Sequence, residues 1–284
     1  MTATTRTTNL DAGAPRSDDP SAAPAVEVRG LRVAYGDTVV LHDIDLTVRA
    51  GEIMVIMGGS GSGKSTLLNT LLGLLRPGAG EVRLLGQDIT RMKERDLARL
   101  RQRMGVAFQG GALFSSMSVG ENVMLPLREH ARLDEATMRI MARMKMEVVD
   151  LGGREGLMPS ELSGGMVKRA ALARAIIMDP QLLFCDEPSA GLDPVVAKQI
   201  DRLILDLRAA FDMTVIVVTH ELDSAFDIAD RICVLDRGQV RIVDTVENVR
   251  QADDQRVQDL LNRRAETVEV DPDAYLSRLT GDIL

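Results

Sequence analysis

Five consecutive apolar residues, Ile53-Met54-Val55-Ile56-Met57, run without a break into Gly58-Gly59-Ser60-Gly61-Ser62-Gly63-Lys64-Ser65-Thr66. An unbroken apolar run that ends in glycines and leads into the helical pattern Thr66 to Leu75 reads as a strand covered on both faces. Such a strand needs helices or a second sheet above and below it, which restricts the chain to α/β architectures with a mostly parallel central sheet. Leu182-Leu183-Phe184-Cys185, Val215-Ile216-Val217-Val218 and Ile232-Cys233-Val234-Leu235 repeat the signature, with helical stretches between them. At 45% hydrophobic over 284 residues the chain has the material for that core.

Around this centre the pattern changes. Residues 1 to about 24 are Thr, Ala, Ser, Asp and Pro without periodicity and read as a flexible tail. Val26-Glu27-Val28, Leu31 to Tyr35 and the stretch from Val40 alternate like half-buried strands, which predicts a small antiparallel sheet beside the main one. The span 110–178 lacks buried strands and reads as a helical insert, with helices over Glu121–Glu129, Asp134–Val149 and Ser163–Met178. Met138, Met141 and Met144 recur there every third residue, as core filling or as an adaptable docking surface. Residues 246–284 form a helical appendix with an amphipathic stripe at Val257, Leu260 and Leu261 and a weaker one at Tyr275 and Leu279.

Composition excludes several classes. Lys and Arg number 34 against 42 Asp and Glu, a net charge of −8, which argues against a chain that coats nucleic acid. The basic stretch Arg91 to Arg103 carries Met92, Leu97, Leu100 and Met104 on one side and reads as a solvated amphipathic helix. Cys185 and Cys233 lie inside apolar runs and suggest neither a disulfide framework nor a metal cluster. No apolar stretch is long enough to cross a bilayer, and the N-terminus lacks the apolar region of a secretory signal. These features predict a cytoplasmic chain whose membrane role runs through a partner.

The glycine-rich segment has one chemical reading. Gly58, Gly63, Lys64 and Ser65 match the P-loop pattern, and the strand before and helix after supply its required context. Glycines let successive backbone N–H groups converge on phosphate oxygens, and the helix N-terminus adds its positive end. Gly58, Gly59, Ser60, Gly61, Ser62, Gly63, Lys64, Ser65 and Thr66 are therefore candidate nucleotide-binding residues. Lys64 would reach the β- and γ-phosphates and Ser65 would ligate Mg²⁺. Asp186 and Glu187 close the run 182–185: the first is a candidate Mg²⁺ ligand, the second a candidate general base toward water. An Asn/Thr-Lys-x-Asp guanine reader is absent from the sequence, which disfavours a GTPase.

Leu162-Ser163-Gly164-Gly165-Met166 stands 23 positions ahead of Asp186 (counted from Ser163) and opens an alanine-rich helix. It resembles the signature motif of ABC-type ATPases, with Met166 where that family usually has Gln. Ser163, Gly164 and Gly165 would make a second anion-binding helix start, useful if it serves the nucleotide of another subunit. The resemblance covers about Val26 to Asp244. It implies a P-loop NTPase (RecA-like) core over 25–245, with the antiparallel β subdomain and helical subdomain of ABC ATPases. Residue by residue, Tyr35 resembles the aromatic that stacks on adenine, and Gln109 the Q-loop glutamine that touches Mg²⁺ or the lytic water. Ser189-Ala190-Gly191-Leu192-Asp193 resembles the D-loop, and His220 the switch histidine at the γ-phosphate. His42 and His130 have no such context and read as structural.

A closer likeness lies in Phe108 to Met117, Glu121-Asn122-Val123, Leu125 to Glu129, and Met166 with Lys168 to Ala175. These resemble the ATPase of Mla-type phospholipid transporters, which work with MCE-domain proteins in Gram-negative bacteria; the D-loop keeps the general ABC form. The resemblance implies a homodimer that sandwiches ATP and Mg²⁺ and drives an integral-membrane permease. It further implies an MCE-domain protein, a small STAS-domain partner and a place on the cytoplasmic face of the inner membrane. The C-terminal appendix would grip the opposite subunit or act as an ordinary helical cap. An importer ATPase for amino acids or another small solute, and a soluble ABC-type regulator, are the alternative functions.

Overall fold

The computed structural model describes residues 23–262. Its first strands, β1 (Val26–Tyr35) and β2 (Thr38–Val48), pair antiparallel, with register shifts between Val28 and Ala34. Val26, Val28, Leu31 and Val33 point inward, as their alternation requires. The strand β3 (Ile53–Met57) is buried along its whole length and leads to helix α1 (Lys64–Leu71). That helix stops short of the expected Leu75 because Gly73 turns the chain at φ 66°. Strands β4 (Ala79–Leu84) and β5 (Gln87–Asp88) then complete a four-stranded antiparallel sheet in the order β2-β1-β4-β5. This sheet was expected from the segments before α1 alone; half of its strands follow that helix.

Helix α2 (Glu94–Arg101) buries Leu97 and Leu100, and its Arg101 donates to the carbonyls of Leu72 and Gly73 at the end of α1. The basic stretch is thus partly a cap for a neighbouring helix, where cations satisfy free carbonyls. After β6 (Met104–Ala107) come α3 (Val119–His130), α4 (Glu135–Val148) and α5 (Gly164–Ala175). Ser118 and Glu121 form a reciprocal capping box on α3, Asp134 caps α4, and Ser163 caps α5. The three methionines divide by angle around α4. Met138 is buried and Met141 half-buried against the core, whereas Met144 is 62% exposed.

The chain then alternates β7 (Leu182–Asp186), α6 (Pro194–Phe211), β8 (Thr214–Thr219), α7 (Leu222–Ile228), β9 (Arg231–Asp236) and β10 (Gln239–Thr245). The main sheet runs β10-β9-β3-β8-β7-β6, parallel except for the antiparallel edge strand β10. Side chains of β3 feed two cores in alternation. Ile53, Val55 and Met57 pack with the helices α3 to α7, while Met54 and Ile56 pack with α1, α2 and the smaller sheet. This two-sided burial is the physical reason for the unbroken apolar run. Cys185 and Cys233 are fully buried, and burial pushes both thiols up to about 12.

Helices α8 (Val246–Arg250) and α9 (Gln255–Leu261) end the described chain. Val257 is fully buried, and Leu260 and Leu261 are partly buried against the same core as α3 to α7. The stripe at Val257 therefore caps its own molecule, while Tyr275, Leu279 and most of the expected tail over 1–24 lie outside the described residues. No helix among the described residues is long and apolar enough to cross a membrane.

Candidate active site

Parallel order sets the site. The C-terminal ends of β3, β8 and β7 are adjacent, so the residues that follow them converge at one edge of the sheet. A cleft of about 980 Å³ opens there. Gly58, Gly59, Ser60, Gly61, Lys64, Ser65, Gln109, Asp186, Glu187 and His220 line it, with Asp259 and Leu260 of α9 on its wall.

The loop after β3 is glycine for steric reasons at its two ends. A Cβ at Gly58 would lie 2.2 Å from the Leu235 carbonyl oxygen and 2.5 Å from Ser62 Oγ. Gly63 has φ 104°, and a Cβ there would meet Leu41 Cδ2 at 2.7 Å. Lys64 arches back over this loop, donating from Nζ to the carbonyls of Gly58 at 2.7 Å and Gly59 at 2.9 Å. Burial pulls its ammonium below the ordinary lysine range, a tendency that Glu187 and Asp186 oppose. Ser62 Oγ is buried without a hydrogen-bond partner.

Opposite stand the carboxylates. Asp186, at the end of β7, is raised above the usual aspartate range by burial and by the neighbouring Glu187. Glu187 adopts the left-handed region at φ 48°, and four contacts hold it there. Its N–H donates to the Val218 carbonyl at 2.8 Å, and its own carbonyl accepts from Lys168 Nζ at 2.7 Å. Thr219 Oγ1 donates to its Oε2 at 3.0 Å. His220 Nδ1 lies 2.7 Å from Oε1 of the same carboxylate, within hydrogen-bond distance. Thr219 and Lys168 had drawn no role from the sequence. Thr219 was legible as the residue between a buried strand and the cleft histidine; Lys168 depends on how α5 packs.

Ser65, Gln109 and Asp186 present oxygen donors on one cleft. Among the described residues, no three of His, Cys, Asp and Glu could hold a metal by themselves. So sparse a hard-oxygen set suits Mg²⁺, which keeps waters and takes the remainder of its ligands from substrate phosphates.

The remaining candidates stand apart from this cleft. Tyr35, at the end of β1, is 52% exposed and absent from the lining. Ser62 and Thr66 are buried and Gly63 is half-buried, and none of the three lines the cleft. Ser163 Oγ accepts from the Met166 N–H at 3.4 Å, and Gly165 lets α5 approach α6, since a Cβ there would sit 2.6 Å from Val196 Cγ1. Asp193 caps α6 through the N–H groups of Val195 and Val196, both at 3.1 Å. Ser163, Gly164, Gly165 and Asp193 thus form a second surface outside the first cleft.

Residues 41–190 match the family model described as "ABC transporter". The chain is 45% identical over 232 residues to the intermembrane phospholipid transport system ATP-binding protein MlaF of Haemophilus influenzae, covering 82% of this chain and 88% of that one. It is 41% identical over 240 residues to the probable ribonucleotide transport ATP-binding protein mkl of Mycobacterium tuberculosis, covering 84% and 67%. Among solved structures it resembles the ATP-binding cassette MJ0796, a dimer in a post-hydrolysis state bound to ADP and Pi. The TM-score is 0.72 at 30% identity, over 78% of this chain and 98% of that one. A nucleotide cleft at the end of a mostly parallel sheet, joined to these matches, assigns the chain to the ABC transporter family, among its ATP-hydrolysing ATP-binding subunits.

Proposed function

We propose that two copies pair head to tail and enclose ATP between Gly58–Thr66 of one and Ser163–Gly165 of the other. The observation that carries this reading is the separation of two glycine-bearing helix starts. Lys64, Asp186, Glu187 and His220 share a cleft, while Ser163–Gly165 opens a different helix outside it. A single copy leaves the second start without a phosphate, and Val195 beside it is 68% exposed. Val195 therefore gives that face an apolar contact for a second copy.

Within the closed pair, backbone N–H groups of the loop and Lys64 hold the triphosphate. Glu187 takes a proton from the attacking water, His220 contacts the γ-phosphate, and Tyr35 stacks on adenine. Asp193 borders the nucleotide across the interface. Ser65, Gln109 and Asp186 would hold Mg²⁺, which supplies charge neutralisation on the β- and γ-oxygens. ATP contacts both copies only when they are closed, so it favours closure; cleavage removes that preference. A permease gripping the helical part, residues 110–178 of an ATPase domain over 25–245, turns closure into alternating access.

The cargo reading follows the MlaF-named relatives: phospholipid trafficking between inner and outer membranes, with an MCE-domain protein and a small STAS-domain partner. The chain then sits on the cytoplasmic face of the inner membrane, held by the permease. A second reading, a small-solute importer, has the ribonucleotide-transport name of the mycobacterial relative in its favour. Purification of the complex from membranes separates the two, since co-purifying phospholipid and an MCE protein support the first and a solute-binding protein the second.

Glu187→Gln tests the chemistry. It should give an ATP-stabilised dimer by light scattering, with hydrolysis lowered on the order of 100-fold or more. A monomer in ATP with wild-type turnover would end the proposal.

A further inference from the structure

Helix α5 does two things at once. Its N-terminus is Ser163–Gly165, and five residues later its Lys168 reaches the cleft of its own chain. Lys168 is 8% exposed, and its ammonium donates to the carbonyl oxygens of Gln109 at 2.6 Å and Glu187 at 2.7 Å. No other described side chain bonds the backbone of both residues. Further along the helix, Arg174 donates to the carbonyls of Gly111 and Ala112, both at 2.7 Å. Gly111 lies against the helix so closely that a Cβ there would sit 2.6 Å from Val167 Cγ1.

The segment 109–112 is thus fastened to α5 by two cations and a close backbone approach. Hydrogen bonds from a charged donor are the stronger kind, and an α-helix rises about 1.5 Å per residue. Ser163 and Lys168 are therefore about 7.5 Å apart along one rigid element. Glu187, at φ 48°, depends on its surroundings to keep a conformation that its own backbone disfavours.

We infer that Lys168 is a positioning residue that ties each catalytic centre to the neighbouring one. Capture of the partner's nucleotide by Ser163–Gly165 shifts α5, and Lys168 passes the shift to the backbone of Glu187 and Gln109 in its own cleft. The two sites then hydrolyse cooperatively. This rests on the head-to-tail pairing proposed above.

The test uses the full chain at concentrations where the pair forms, with ATPase rate measured against ATP concentration. Wild type should give a Hill coefficient approaching two, the number of sites. Lys168→Met, which removes every donor, should lower kcat by roughly tenfold or more with little change in half-saturation, and bring the Hill coefficient to about one. Lys168→Arg, which can still bridge two carbonyls, should restore cooperativity. Should the Met variant not fold, Lys168→Gln, which is shorter by one atom and loses the charge, takes its place in the same comparison with Arg. Equal cooperativity in wild type and in Met or Gln overturns the inference, even where kcat has dropped. So does a wild type that dimerises in ATP yet has a Hill coefficient of one. Absence of any ATP-dependent dimer would instead defeat the pairing itself.

Discussion

Gly63 holds the entrance of α1 at φ 104°, with Leu41 waiting 2.7 Å from where a side chain would begin. Gly63→Ala should therefore cost about 1–3 kcal/mol of stability through backbone strain, read as a lower Tm, and weaken ATP binding with it. Asp201 on α6 is a different single-residue case. It is buried, accepts from Ser224 Oγ at 2.5 Å, and is raised above the usual aspartate range chiefly by burial. A carboxyl raised by folding stabilises fully below its ordinary value of 3.8 and loses that contribution as pH climbs through the raised one. Asp201→Asn keeps an acceptor for Ser224 without the charge. Its Tm relative to wild type should rise as pH goes from about 4 to about 7; a difference independent of pH would refute this. At this scale the sequence spoke clearly wherever a polar residue ended a buried strand, as at Asp186, Glu187 and His220. It was silent on Lys168, whose partners come from elements remote in sequence.

Elements were legible in proportion to their apolar continuity. The strands β3, β7, β8 and β9 announce themselves, whereas β4 and β6 are interrupted by glycines that packing demands. A Cβ at Gly80 would sit 2.4 Å from the Gly30 carbonyl oxygen, and one at Gly105 would sit 2.2 Å from that of Ala175. Close backbone approach thus erased the very pattern by which a strand is recognised. The helix α9 was visible only as a stripe, and its direction of packing needed the structure. Val257 is fully buried there, so Val257→Ala should destabilise by about 1–3 kcal/mol, whereas Gln258→Ala should do less. Equal Tm values for Val257→Ala and wild type would mean that α9 is not docked in solution.

The molecule as a whole is two cores sharing one sheet, and its nucleotide cleft lies where the strands of that sheet end. Ligand capture should therefore stabilise the entire chain. At ATP one hundred times its Kd the gain is about 2.7 kcal/mol, or roughly 5–10 °C in Tm. Lys64→Ala should lose that increment at the same ATP concentration while keeping a near-normal Tm without nucleotide. An undiminished shift would remove Lys64 from the cradle. Deleting residues beyond Ala265 addresses the appendix: loss of the ATP-dependent pair would mean the extension grips a second copy, and an intact pair would leave it a cap on its own chain.

Both native thiols are shut inside the sheet and resist ionisation, which makes the unmodified chain silent to maleimides and similar reagents. A single cysteine introduced on the outside, at Val195 for instance, is then a unique handle for a spin label or fluorophore. Distances between such labels could follow the opening and closing of the pair in real time without first stripping the protein of its own sulfur.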